Sequence, residues 1–228
     1  MDRSAVRGFD VPPGLIPFLT ADDDNGLRKY LDSQCPRSTL TALLTGPELR
    51  LVKASVASLA ARGTMAETPS LARLLHHPDA EASALAEDAL WSIWLRAGNP
   101  EANGLVAEAI EEMNAGHYGR AVVRLDRAIR TSPGFAEAYN QRAIALYLAE
   151  KHLRSVADCR RTLALNPWHF GAAAGLGHCY AQLALYERAI DAYHAALKLH
   201  PRLDGVRLAV EHVREILHVR SRPRGSHD

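Results

Sequence analysis

Charge of one sign is missing from this chain: 27 lysines and arginines stand against 26 aspartates and glutamates, for a formal net charge of +1. That balance leaves no electrostatic footprint for a nucleic-acid backbone or a membrane surface, so partners must be recognised by shape. Cysteine is scarce as well. The three present (Cys35, Cys159, Cys179) cannot pair evenly and none falls in a C-x-x-C, which points to reduced thiols rather than a disulfide framework. No segment approaches the about 18 consecutive apolar residues of a membrane helix. The N-terminus "MDRSAVRGFDVPPGLIPFL" lacks a signal peptide's apolar core. A soluble, cytoplasmic protein without a membrane partner is expected. Catalytic signatures are absent too: there is no H-E-x-x-H, no G-x-S-x-G and no P-loop, and the 11 histidines are scattered. We expect no enzyme activity, no metal and no cofactor.

What the chain does have is a period. Pro133, Pro167 and Pro201 recur at a spacing of 34, as do Ala109, Ala143 and Gly177. The columns Ala121, Ser155, Ala189; Leu125, Cys159, Tyr193; Ala128, Thr162, Ala196; and Tyr118, His152, Tyr186 move in the same step. Small residues let two helices approach, the larger ones fill the space between pairs, and proline stops the second helix of each unit. Helices are therefore predicted over about 101–115, 118–131, 135–149, 152–165, 169–183 and 186–199. The pattern resembles the tetratricopeptide repeat (TPR), in three copies over residues 101–203. The tight turn inside each unit keeps a glycine only in the first copy, as Gly116. Glu150 and Ala184 follow, so those turns are expected to close with strain or a shorter helix.

A pair of charged columns supports the register. Glu108 and Arg124 stand one on each helix of the first hairpin, Arg142 and Asp158 occupy the same places with the signs exchanged, and Leu176 and Ala192 replace both in the third copy. Such covariation predicts side chains facing each other across the helical hairpin. The stretch "NPWHFGAAAGLGHCY" then loses its appearance of a phosphate loop or metal site. Gly171, Gly175 and Gly177 fall inside a helix with no strand before it, and His169 and His178 point to opposite sides. Cys179 reads as a small buried apolar residue.

Upstream, a spacing of 31 relates Leu40, Leu43, Leu44, Pro47 and Leu59 to Leu71, Leu74, Leu75, Pro78 and Leu90. Two helical hairpins follow for residues 37–100, similar to HEAT repeats in "LxxLLxxPxxxxxxxA", although the family's early basic residue in the second helix is matched only in the first unit, by Lys53 or Arg50. Leu90, Trp91, Ile93, Trp94 and Leu95 make a helix apolar almost all round, expected to form the seam between the two sections. A capping helix over 204–219, with Leu208, Val213, Ile216 and Leu217, is expected to cover the last repeat. Residues 1–36 are expected to be disordered, or to dock through Ile16, Phe18 and Leu19, and 220–228 to be a disordered basic tail. The fold class expected is all-α: a right-handed α-solenoid of stacked hairpins, HEAT-like then TPR, with a C-terminal cap.

The resemblance implies a function on a surface rather than in a catalytic site. In TPR arrays the first helices line a concave groove that holds a peptide or a partner's helix. Projected here, that wall comprises Asn103, Val106, Ile110 and Met113, then Glu137, Asn140, Ile144 and Tyr147, then Ala174, His178 and Gln182. Val106, Ile110 and Ala174 stand where members that clamp carboxylate tails carry charged residues, so an apolar or aromatic peptide is the expected guest. The expected function is a non-enzymatic scaffold or adaptor binding a protein or peptide partner, with the oligomeric state open. The alternative is an RNA-binding helical-repeat protein. Against it stand the near-zero net charge and a period one residue shorter than that class of repeat uses.

Overall fold

Every element of regular structure in the computed structural model is helical among the described residues, 11–221. The tail segment 222–228 lies outside them, as do residues 1–10. The chain divides into two units, Met1–Trp94 and Leu95–Asp228.

In the first unit, a 3-10 turn at Pro13–Leu15 leads into α1 (Ile16–Thr20) and α2 (Asp24–Gln34). Order here corrects the expectation of disorder. Asp23 caps α2 by accepting from the Gly26 amide at 2.8 Å, and Leu27 and Leu31, one turn apart, are fully buried. It is Leu15 that is buried at the start, while Ile16 remains half exposed. Helices α3 (Arg37–Leu43), α4 (Leu49–Arg62), α5 (Thr68–Leu74) and α6 (Ala80–Leu95) follow. The starts of α5 and α6 follow those of α3 and α4 at the same spacing as the leucine columns. Packing of α2 against α4 is fastened at both ends by arginine. Arg50 binds Asp24 and the Leu19 carbonyl. Arg62 donates to the carbonyls of Leu31, Asp32 and Cys35, where the last turn of α2 has no amides of its own to offer. Trp94 is buried and meets Trp91 edge to face at 5.3 Å.

The second unit holds three helical hairpins: α7 (Pro100–Asn114) with α8 (Tyr118–Thr131), α9 (Ala136–Leu148) with α10 (His152–Leu165), and α11 (Phe170–Gln182) with α12 (Tyr186–Leu199). Each helix packs on the next in the chain, and α7 meets α9, and α9 meets α11, more closely than α8 meets α10 or α10 meets α12. The array therefore curves toward its first helices.

The intra-hairpin turn is the same in all copies. Gly116, Glu150 and Ala184 adopt φ of 78°, 60° and 56°, and the following amide bonds back to a carbonyl five residues earlier at 2.8, 2.8 and 2.9 Å. This is the Schellman closure, in which a left-handed residue satisfies the helix's orphan carbonyls. The first helices end in register at Asn114, Leu148 and Gln182, so the turns without glycine take the strain in the backbone and do not shorten the helix. Between hairpins, Ser132, Asn166 and His200 leave the helical region ahead of each proline, as the proline ring demands.

The predicted charge pairs meet. Arg142 grips Asp158 with two bonds of 2.7 Å and adds Asp126 at 2.6 Å. Arg124 reaches Glu108 at 3.5 Å and binds Glu112 more closely, at 2.8 Å. The carboxylate partners push the Arg142 pKa upward, Asp158 most.

Helix α13 (Asp204–Ser221) follows α11 at the same interval as α11 follows α9, so the cap repeats the first helix of a hairpin. This register places Val213 inward as expected and Ile216 and Leu217 partly buried, and corrects the expectation for Leu208 alone. Val206, Val210 and Val213 are buried against the last repeat, whereas Leu208 is 64% exposed because its place in the repeat is the one Ala174 and Asn140 hold on the wall.

Candidate functional site

A cavity of about 250 Å³ opens between α9 and α11, with α10 behind it. One side is built by Asn140, Ala143, Ile144, Tyr147 and Leu148 of α9. The other is built by Gly171, Ala174, Gly175, His178 and Cys179 of α11, and Ser155 and Cys159 of α10 close the floor. No aspartate, glutamate, lysine or arginine is among these lining residues.

The floor is held by hydrogen bonds. The Ser155 hydroxyl donates to the Ala143 carbonyl at 2.7 Å and accepts from the Cys179 thiol at 3.0 Å. At the mouth, Tyr147 lies 5.3 Å from the His152 ring and 6.5 Å from that of His178. His178 Nδ1 is 2.9 Å from the buried Tyr193 hydroxyl. Desolvation lowers the His178 pKa, so a neutral ring faces the cavity at neutral pH, and burial pushes Tyr193 up to about 12. Asn140 is fixed by its amide, which donates to Glu137 Oε1 at 3.0 Å.

Of the wall residues expected from the repeat register, the cavity brings together Asn140, Ile144, Tyr147, Ala174 and His178. The others stand elsewhere. Val106 is 1% exposed and belongs to the core of the first repeat, with Ile110 and Met113 half-buried beside it. The Asn103 amide is occupied with the Arg96 and Gly98 carbonyls, tying down the turn before α7. Gln182 is exposed and donates weakly to the Tyr147 hydroxyl at 3.4 Å. Glu137 is a correction: it is fully buried, with Oε2 2.8 Å from His169 Nε2 and Oε1 accepting from Asn140 and Gln141. Its role is to join two repeats beneath the wall. His169 in turn caps α11, accepting from the Ala172 amide at 3.0 Å.

Gly171 and Gly175 do not belong to the expected wall, yet they make the cavity. A Cβ at Gly175 would meet only the Cys159 sulfur at 3.5 Å, whereas one at Gly177 would strike the Tyr193 ring at 2.4 Å. Gly177 thus serves helix packing, as its column predicts, and its two neighbours serve the cavity.

No family model matches the sequence. A TPR repeat-containing protein of Rhizobium etli is 29% identical over 109 residues, 45% of this chain and 53% of the relative. The chain thus spans about half the length of the relative it matches. Among solved structures, the Sgt2 TPR domain from Aspergillus fumigatus matches with a TM-score of 0.54 at 21% identity, over 57% of this chain and 89% of that one. The first TPR of Spaghetti (RPAP3), solved with an HSP90 peptide, matches with a TM-score of 0.51 at 21% identity, over 52% of this chain and 94% of its own. With the period, the Schellman turns and the paired helices, these likenesses show that the chain carries a tetratricopeptide-repeat fold.

Proposed function

We propose that the chain is a non-enzymatic scaffold that holds a protein or peptide partner through one apolar or aromatic side chain inserted between α9 and α11. The observation that carries this reading is the uncharged cavity of about 250 Å³ walled by Ile144, Tyr147 and Ala174. Small-molecule sites usually span about 300–1,000 Å³, so this one suits a single anchoring side chain. Burying a leucine- or phenylalanine-sized anchor contributes about 1.5–3 kcal/mol, or roughly tenfold to hundredfold in affinity. Asn140, with its amide engaged by Glu137, keeps a side-chain carbonyl to accept from the guest's backbone. The Spaghetti TPR was solved with an HSP90 peptide, which supports a peptide as guest. The uncharged wall supports an apolar anchor over an acidic tail. We read the hairpins of residues 37–100 as HEAT-like on their leucine and proline columns, outside this site.

The test is a peptide-library selection followed by affinity measurement on the selected binder. Ile144→Arg combined with Tyr147→Ala is expected to weaken binding by at least about tenfold, with helicity unchanged by circular dichroism. Unchanged affinity in the folded double variant would place the guest on another surface.

A further inference from the structure

Two thiols meet under the cavity, and their placement is set by helix register. Ser155 and Cys159 are one turn apart on α10, and Gly175 and Cys179 are one turn apart on α11. The helices face each other rung to rung: the Cys179 thiol lies 3.0 Å from Ser155 Oγ, and the Cβ position of Gly175 lies 3.5 Å from Cys159 Sγ. Cys159 and Cys179 are therefore diagonal neighbours across the same step, and both line the cavity. Small polar molecules entering past Tyr147 and His178 thus reach them although neither is exposed at the surface. Cys35 is a free thiol in the other unit.

We propose that Cys159 and Cys179 form a peroxide-sensitive dithiol site that closes to a disulfide across the floor of the cavity. Cys179 is the attacking sulfur. The neighbouring Cys159 thiol lowers the Cys179 pKa against the effect of burial, while the same contact and burial raise that of Cys159, so Cys179 is the thiol that ionises first. Ser155 has one proton, already given to the Ala143 carbonyl, and as it accepts from the Cys179 thiol it does not assist that ionisation. The Cys179 thiolate attacks one oxygen of the peroxide. A sulfur–oxygen bond forms, the oxygen–oxygen bond breaks, and hydroxide leaves, taking up the proton that Cys179 released and departing as water. The Cys159 sulfur then attacks the sulfur of the Cys179 sulfenic acid. The sulfur–sulfur bond forms, the sulfur–oxygen bond breaks, and the second oxygen departs as water with the Cys159 proton. Two electrons pass from the two thiols to one peroxide. The product ties α10 to α11 beneath the cavity, whether or not a peptide is the cavity's guest.

Treatment of the full chain with stoichiometric hydrogen peroxide, followed by acid quenching and mass spectrometry of intact and digested protein, tests this. The expected result is loss of two hydrogen atoms, a peptide carrying Cys159 linked to one carrying Cys179, and Cys35 left open to alkylation. Loss of the Cys179 thiol is expected to run at least about tenfold faster than that of Cys35, which burial pushes up. Cys35→Ala, which changes no residue of the cavity, is expected to oxidise identically. Cys159→Ala removes both the resolving thiol and the neighbour that lowers the Cys179 pKa, so Cys179 is expected to react more slowly and to stop at a sulfenic acid that dimedone traps. A wild-type chain that keeps all its thiols, gains oxygen without losing the two hydrogens, or links through Cys35 overturns the proposal without any variant having to fold.

Discussion

The first and second repeats meet much as the second and third do, yet the places left small at one junction are filled by larger side chains at the other. The cavity's floor and far wall hold Cys159, Gly171 and Gly175. One repeat earlier the same places are taken by Leu125, Glu137 and Gln141. Leu125 is fully buried, and Glu137 and Gln141 are buried and bonded to each other at 2.6 Å. The backbone is equivalent at both junctions, so the opening comes from side-chain volume removed at three positions. A repeat fold can in this way keep its interfaces and still open a cavity at a chosen junction.

That comparison can be broken most severely at the filled junction. Leu125→Cys gives the first junction the cavity's residue without any design for the space left behind, and should cost about 2–4 kcal/mol by urea denaturation. Sharpening comes from the opposite exchange. Cys159→Leu with Gly175→Gln copies the filled junction into the open one and should reduce affinity for a selected peptide by at least about tenfold, with a melting temperature equal to or above wild type. A double variant that binds normally would show that the missing volume is not what admits the guest. The smallest effect is expected at the turns, where all three copies share one backbone but only the first has its glycine. Ala184→Gly relieves a left-handed residue at φ 56° and should stabilise by up to about 1 kcal/mol, measured by thermal denaturation.

The period makes the second unit legible. Helix ends fall within a residue or so of those drawn from the proline and small-residue columns, and the exchanged signs of Glu108–Arg124 and Arg142–Asp158 locate two contacts across hairpins. Much of the site is harder to read. Position on a first helix says which residues face the wall, but not which of those are swallowed by a neighbour. Glu137 reads as outward-facing in sequence because its burial depends on His169, in the next repeat, 32 residues away. The cavity's origin is present in the columns: Gly171 under Glu137 and Gly175 under Gln141 are losses of volume, yet glycine inside a helix reads first as a packing residue. At the N-terminal end the prolines of "VPPGLIPFL" and the acidic run hide a good signal, namely a capping Asp23 followed by Leu27 and Leu31 one turn apart.

The contact between Glu137 and His169 has a further meaning for how the array breathes. In a stack where each unit leans mainly on its neighbours, the ends open first and the rest follows piecewise. Parting the second repeat from the third would break the Glu137–His169 bond and strand a buried carboxylate that the Asn140 and Gln141 amides of its own helix satisfy only in part. The two walls of the cavity therefore belong to one cooperative block, and amide hydrogens along α9 and α11 should exchange with solvent in step, while those of α13 escape earlier.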